Sequence, residues 1–170
     1  MTDRSRRFSG ITVTLYGGSI LDLPADALVN ASNPRLVLGS GVSGALRRAC
    51  GPALQEAMTA LGGVAEDGYV VTPAFQHERA GEIIHVPTVS GDPETIAHAY
   101  ANILRRAVSA GHARVLVPAL GAGVGGLGFE ATARALRAAV EACEEARGLE
   151  VVVALIDASA LDAFARVFEL

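Results

Sequence analysis

Lysine is absent from this sequence, so all 14 of its basic residues are arginine. Without a lysine the chain cannot form a Schiff base through a side-chain amine, and it cannot supply the lysine of an ATP-type P-loop. Any phosphate that the protein binds must therefore be held by backbone N–H groups or by arginine.

Cysteine is scarce, and the two cysteines, Cys50 and Cys143, lie far apart in segments with a helical pattern. This spacing indicates neither a disulfide framework nor a metal cluster, and it favours two reduced thiols. No G-x-S-x-G nucleophile elbow occurs. The four histidines are also scattered, and we interpret them as ordinary surface or core residues: His77, His85, His98 and His112. We therefore expect no metal and no organic cofactor.

Clusters of basic residues are lacking as well. The net charge is −4, and beyond Arg4, Arg6 and Arg7 no basic group stands out, which argues against nonspecific nucleic-acid binding by the folded body. The N-terminal run lacks an apolar stretch long enough for a signal peptide, and no later segment approaches a membrane-spanning length. We expect a cytoplasmic protein without membrane contact, in which residues 1–9 form a flexible tail.

The apolar pattern of the chain alternates between strand and helix. With 170 residues, 51% of them hydrophobic, the chain is expected to form a single domain over residues 1–170. Strands are predicted around residues 11–15, 27–29, 69–71, 83–86, 115–117 and 151–156, and helices over 42–61, 93–110, 129–147 and 158–170. This order predicts a three-layer α/β/α sandwich with a mixed central sheet. In such sheets ligands bind beyond the carboxyl ends of the strands.

Two glycine-rich loops each follow a predicted strand and open a helix. The first is Gly39-Ser40-Gly41-Val42-Ser43-Gly44, and the second runs from Gly121 to Gly128. Glycine lets the backbone approach a phosphate closely, and a helix N-terminus favours negative charge. One such loop serves equally well as a tight turn, but two at equivalent strand ends favour a site that holds a diphosphate from both sides.

A dinucleotide dehydrogenase is disfavoured by the position of these loops. Its fingerprint should follow the first strand, and an acidic residue should end the second strand about 20 residues later. Here the first glycine loop follows the second predicted strand, and the nearest acids, Glu66 and Asp67, precede a strand.

Two amides lie just before the first glycine loop, in Asn30-Ala31-Ser32-Asn33. An asparagine at a strand end can bind ribose hydroxyls or can tie its own loop together, and the sequence leaves both roles open. Ser43 has no base adjacent to it in the sequence, which gives no support to a catalytic serine.

Several of these segments together resemble the macrodomain family, in the same order and at similar spacing. They are Gly18-Ser19-Ile20, Asp26-Ala27-Leu28-Val29-Asn30-Ala31-Ser32-Asn33, the first glycine loop, Val70-Val71-Thr72-Pro73, Ile83-Ile84-His85-Val86 and Val117-Pro118-Ala119-Leu120-Gly121-Ala122-Gly123. The resemblance covers nearly the whole chain and implies a module that binds ADP-ribose or a related nucleotide, free or attached to a protein or nucleic acid.

The resemblance also implies which residues contact the ligand. Asn33 would meet the distal ribose, residues 39–43 and 121–126 would enclose the diphosphate, and Ser19, Ile20 and Ile156 would surround the adenine. The implied ligand-binding residues are Ser19, Ile20, Asn33, Gly39, Ser40, Gly41, Val42, Ser43, Gly121, Ala122, Gly123, Val124, Gly125, Gly126 and Ile156, and the catalytic candidates among them are Asn33, Gly41 and Ser43.

Four positions depart from the usual macrodomain pattern. Ser19 stands in place of the aspartate that contacts adenine, and Gly125 in place of an aromatic residue beside the distal ribose. Ser43 and Arg47 replace the aspartate and histidine of the hydrolytic branch. We expect slow, substrate-assisted removal of mono-ADP-ribose from acidic side chains. The alternatives are a non-catalytic ADP-ribose reader, an ADP-ribose 1″-phosphate phosphatase and, more distantly, an enzyme acting on O-acetylated ADP-ribose or NAD.

Overall fold

A computed structural model describes residues 4–170, which form a seven-stranded sheet between two layers of helices. The strands are β1 (Arg4–Phe8), β2 (Ile11–Tyr16), β3 (Ala25–Ser32), β4 (Val70–Pro73), β5 (Ala80–Pro87), β6 (Arg114–Val117) and β7 (Glu150–Ala154). The helices are α1 (Gly41–Cys50), α2 (Pro52–Leu61), α3 (Pro93–Ala110), α4 (Phe129–Ala142) and α5 (Ala158–Phe168), with a 3₁₀ turn at Glu144–Ala146.

The order of the strands across the sheet is β1-β2-β7-β6-β3-β5-β4. The five inner strands run parallel to one another, whereas the edge strands β1 and β4 are antiparallel to β2 and β5. This arrangement confirms the predicted mixed α/β/α sandwich. Because the five inner strands point the same way, the loops at their carboxyl ends meet along one edge of the sheet.

Both faces of the sheet are covered by helices, which explains the unbroken apolar runs in the strands. Leu28, Ile83, Leu116 and Val152 lie in the cluster that includes α1 and α2. The residues that follow them in sequence (Val29, Ile84, Val117 and Val153) lie in the cluster that includes α3, α4 and α5. All eight are fully buried, and each contributes about 1.5–3 kcal/mol through removal from water.

The expected N-terminal tail is wrong for Arg4–Phe8, which form the edge strand β1. Ser9 and Gly10, with φ of 50° and 90°, make a tight turn that folds β1 onto β2. The ring of Phe8 packs edge-on against Phe168 at 5.4 Å. Four of the five residues of β1 are exposed, so this strand has the charged composition typical of a protected sheet edge. Residues 1–3 lie outside the described part of the chain.

Other predicted elements also have different bounds in the structure. The helix expected over residues 42–61 is divided at Gly51, where φ is 78°, and α2 begins anew at Pro52. The helix expected to reach Arg147 ends at Ala142 before the 3₁₀ turn. The last strand ends at Ala154, so Ile156 lies in the loop before α5.

Cys50 and Cys143 are both free thiols. Within residues 4–170 no helix has the length and apolar character needed to cross a membrane.

Candidate functional site

A cleft of about 830 Å³ lies at the edge where the inner strands end. Its walls come from the loops after β3, β5, β6 and β7 and from the first turns of α1, α4 and α5. Most of the residues implied by the family resemblance line it, namely Asn33, Gly39, Ser40, Gly41, Val42, Ser43, Gly121, Ala122, Gly123, Val124, Gly125 and Ile156. The rule that ligand sites form beyond strand ends thus leads to the same residues as the motifs.

Ser19, Ile20 and Gly126 do not line this cleft. The N–H of Ser19 donates to Oδ2 of Asp22 at 2.9 Å. Ile20 is only 5% exposed and belongs to the core. Gly126 has φ of 71° and closes a turn by donating to the carbonyl of Gly123. The expected contacts of these three residues with the ligand are therefore not reflected in the lining of the cleft.

The N-terminus of α1 opens into the cleft without a capping side chain. Ser40 occupies the N-cap position with no side-chain cap bond, and the first turn contains no acidic residue. Asp92 and Asp157, in contrast, cap α3 and α5 with their carboxylates. The amide groups and the positive dipole end of α1 are therefore not neutralised by the protein itself, which suits an anionic ligand.

The second glycine loop contains glycines with different roles. At Gly121, where φ is 75°, an added Cβ would come within 2.6 Å of the buried Ile96 side chain. At Gly125 a Cβ would lie 2.7 Å from the backbone nitrogen of Gly91, so the glycine is required there by a neighbouring loop. Gly123, with nothing within 4 Å, presents open backbone to the cleft. The absence of an aromatic side chain at Gly125 thus follows from its contact with Gly91.

The side chain of Asn33 ties its own loop together. Its Nδ2 donates to the carbonyl of Val37 at 2.8 Å, and its Oδ1 accepts from the Val37 N–H at 3.2 Å. An amide has two donor hydrogens and two acceptor lone pairs, so each polar atom keeps one further bond for a ligand. Asn33 lines the cleft while it holds the loop, and the two roles left open by the sequence are compatible.

Ser43 belongs to a hydrogen-bonded chain that runs into the sheet. Its Oγ donates to Oδ1 of the fully buried Asn30 at 2.8 Å. Nδ2 of Asn30 faces Nδ1 of His85 at 3.0 Å, and Nε2 of His85 faces Oγ1 of Thr72 at 2.9 Å. With this amide orientation Nδ1 of His85 accepts, and the ring proton lies on Nε2.

Burial lowers the pKa of His85 to about 4. The imidazole is therefore neutral at neutral pH, in agreement with its role as an acceptor from Asn30. His85 is a core histidine, as expected from the sequence, but its contact with Asn30 connects it to a residue of the cleft wall.

Charged side chains are few around the cleft. Among its lining residues only Arg48 and Asp157 are ionisable. Hydrogen bonds from Ser159 hold the pKa of Asp157 below its usual value, so this carboxylate is ionised at neutral pH. The cleft wall formed by the described residues therefore contains no histidine or cysteine that could exchange a proton near neutrality.

Exposed apolar side chains gather at the rim of the cleft. Val37, Val89, Val124 and Ile156 all line it, and Ile156 is 87% exposed. Large apolar side chains that remain in water at one place commonly mark a binding surface. Ile156 in particular offers a flat aliphatic contact for a planar ligand group.

Several residues of the cleft wall belong to none of the motifs in the sequence, including Arg48, Thr88, Val89 and Asp157. Thr88 follows β5 directly, and Asp157 follows β7 after two residues. Applied to every predicted strand, the rule that ligands bind beyond carboxyl ends would have found both. Arg48 carried no comparable signal because it lies in the last turn of α1.

Comparison with known proteins links this chain to a family. The family model described as Macro domain matches residues 29–136. A "Macro domain-containing protein" of Chlorobaculum tepidum is 34% identical over 141 residues, which cover 79% of this chain and 81% of the relative. An "O-acetyl-ADP-ribose deacetylase" of an Enterobacter species is 36% identical over 118 residues, which cover 64% of this chain and 66% of that protein.

Solved structures show the same architecture. The Oceanobacillus iheyensis macrodomain with ADP matches with a TM-score of 0.89 at 21% identity, over 99% of this chain and 95% of the other. The Trypanosoma brucei macrodomain in complex with ADP-ribose matches with a TM-score of 0.81 at 26% identity, over 91% of this chain and 68% of the other.

Proposed function

Because this chain belongs to the macrodomain family, we propose that its cleft binds ADP-ribose, either free or attached to a macromolecule. The observation that carries the proposal is the uncapped N-terminus of α1, which shares one cleft with the open backbone of Gly123. Two such backbone surfaces suit a diphosphate, and they meet the requirement that phosphate be bound without lysine.

The remaining parts of ADP-ribose have matching surroundings in the cleft. The adenine packs against Ile156, and the distal ribose lies near Asn33 and Gly125. A volume of about 830 Å³ falls within the range of cavities that enclose small-molecule ligands. The exposed Ile156 side chain and the spare hydrogen-bonding capacity of Asn33 support this orientation.

We further propose slow hydrolysis of ADP-ribosyl esters of acidic side chains. A water attacks C1″ of the distal ribose and forms the new C–O bond, while the bond from C1″ to the carboxylate breaks. A phosphate oxygen of the ligand takes the proton from the water, and the carboxylate leaves as an anion. Asn33 and the Gly41 backbone hold the reacting geometry, and Ser43 accepts a hydrogen bond. The scarcity of ionisable groups in the wall supports such a substrate-assisted route.

A second candidate reaction is removal of the acetyl group from O-acetyl-ADP-ribose. The observation that favours it is the name of several relatives, such as the Enterobacter protein, which are O-acetyl-ADP-ribose deacetylases. Both reactions hydrolyse an ester on the distal ribose, so the same end of the cleft would serve either one.

A turnover assay on both substrates tests these proposals. Wild type, Asn33→Ala and Ser43→Ala would be incubated with a mono-ADP-ribosylated acidic substrate and, separately, with O-acetyl-ADP-ribose. Hydrolysis is supported if wild type forms product above the level seen in buffer alone and Asn33→Ala does not. No release from either substrate, with ADP-ribose still bound, would show instead that the protein is a reader.

A further inference from the structure

Thr88 carries a buried hydroxyl that the folded chain leaves unsatisfied. It is only 1% exposed, and its Oγ1 has no hydrogen-bond partner among the described residues. Among residues 4–170, Nε2 of His77 is also buried without a hydrogen-bond partner, but His77 does not line the cleft, whereas Thr88 does. A hydroxyl buried without a partner is unfavourable for folding, and a hydrogen bond to a group bound in the cleft would remove that cost.

The backbone of Thr88 joins two parts of the cleft wall. Its N–H donates to the carbonyl of Ser32 at 2.9 Å, directly before Asn33 in the chain. Its carbonyl accepts from the N–H of Gly91 at 3.2 Å, and Gly91 in turn abuts Gly125. Thr88 therefore lies between Asn33 and the far end of the second glycine loop.

We propose that the Thr88 hydroxyl binds a hydroxyl group of the distal ribose and so selects ligands with a second sugar beyond the diphosphate. The inference rests on the proposed function, which places the distal ribose near Asn33 and Gly125. A threonine hydroxyl both donates and accepts, as a ribose hydroxyl does, so the two groups are complementary. Valine would fill the same space without a polar atom, which makes the hydroxyl the distinguishing feature of this position.

The test compares Thr88→Val with wild type by calorimetry against ADP-ribose, ADP and AMP. We expect ADP-ribose to bind roughly three- to tenfold more weakly to the variant, the size of one neutral hydrogen bond. Affinity for ADP and AMP should not change, because neither ligand has a distal ribose. Thr88→Ser, which restores the hydroxyl, should bind ADP-ribose like wild type.

Thermal unfolding of the ligand-free variants separates binding from structure. Since Thr88→Val removes an unsatisfied buried hydroxyl, its midpoint should equal or exceed that of wild type. Thr14→Val is the matched control, because Thr14 is also buried but its Oγ1 donates to Glu150 at 2.8 Å, and it does not line the cleft. Thr14→Val should unfold at a lower temperature and bind ADP-ribose normally.

Three results would overturn the assignment of Thr88. They are unchanged ADP-ribose affinity in Thr88→Val, an equal loss of affinity for ADP, and a clear drop in the unfolding midpoint of the ligand-free variant. Each result counts only if wild type binds ADP-ribose in the same experiment. In that case the proposed role of Thr88 is wrong and the proposed function is unaffected. If wild type does not bind ADP-ribose, the proposed function fails and this inference falls with it.

Discussion

The hydroxyl of Ser43 donates a hydrogen bond to Oδ1 of Asn30 across 2.8 Å, from the first turn of α1 into the sheet. Among the described residues its only other acceptor is the carbonyl of Ala31 at 3.2 Å, so the proton of Ser43 points into the protein. What Ser43 offers the cleft is therefore a pair of oxygen lone pairs. This orientation suits acceptance from a water or a ligand hydroxyl and does not suit a nucleophile activated by a base.

Replacement of Ser43 by alanine should affect stability more than chemistry. The variant leaves Oδ1 of Asn30 without its partner, and we expect the free energy of unfolding to fall by about 1–3 kcal/mol. Ester hydrolysis, measured as release of ADP-ribose, should persist at a reduced rate. Complete loss of release with ADP-ribose binding retained would mean that Ser43 is the catalytic nucleophile or base.

The buried His85 should make stability depend on pH. Its pKa in the folded protein is about 4, below the value near 6.5 in an unfolded chain. The unfolded state therefore binds more protons between these values, so stability is fully present above about pH 6.5 and is lost as the pH falls towards 4. We expect a loss of about 2 kcal/mol between about pH 7 and pH 5 from this residue.

Urea unfolding of wild type and His85→Gln at these two pH values measures this contribution. Glutamine at position 85 removes the ionisable group, so the variant should be less stable at neutral pH yet show a smaller decrease on acidification. The same decrease in both proteins would show that His85 is not the residue responsible.

Two glycines of the second loop should respond differently to a single methyl group. In Gly125→Ala the new Cβ meets the backbone of Gly91 at 2.7 Å, whereas in Gly123→Ala it meets nothing within 4 Å. We expect Gly125→Ala to lose about 1–3 kcal/mol of stability through overpacking, and Gly123→Ala to unfold like wild type. Thermal unfolding of the ligand-free variants compares them. Equal midpoints would contradict the close contact between Gly91 and Gly125.

A charge at Gly123 should block binding without unfolding the protein. Gly123→Glu adds bulk and negative charge where a phosphate approaches open backbone, and Gly123 has no positive φ that would strain the new residue. Gly41→Glu is a poorer test because φ at Gly41 is 60°. Calorimetry with ADP-ribose should detect no binding to Gly123→Glu, while circular dichroism should match wild type. Unchanged affinity would mean that this loop is only a turn.

The exposed side chain of Ile156 should contribute to adenine binding. Ile156→Ala removes apolar surface from the cleft rim. We expect the binding free energies of AMP and ADP-ribose to weaken by the same amount, about 1 kcal/mol each. Leu61→Ala is the control, since Leu61 is 47% exposed on α2 and does not line the cleft. If affinity for ADP-ribose falls and that for AMP does not, the adenine lies elsewhere.

Local signals in the sequence are sufficient to predict an element where the residues that begin and end it are recognisable. Residues 93–110 were predicted as a helix and α3 has those bounds, because Pro93 opens it and Gly111, with φ of 69°, ends it. The glycine loops were likewise located at the cleft from the order of strand, loop and helix. The edge strand β1 was missed because four of its five residues are exposed, which removes the apolar alternation.

The contacts behind the cleft wall could not be predicted in the same way. Asn30 meets His85, 55 residues away, because β3 and β5 are neighbours in the sheet. Thr88 likewise reaches Ser32 only through that pairing. No spacing in the sequence encodes which strands lie side by side, so these relationships appear only once the strand order is known.

Calorimetric titration of the wild-type protein with ADP-ribose and with AMP is the decisive test of the proposed binding of a diphosphate and a second ribose. A cleft that holds a diphosphate between two glycine loops and a second ribose beyond it should bind ADP-ribose more tightly than AMP, by about tenfold or more given several added hydrogen bonds. Equal affinity for the two ligands, or no binding of ADP-ribose, would show that the cleft does not hold a diphosphate and a second ribose in this way.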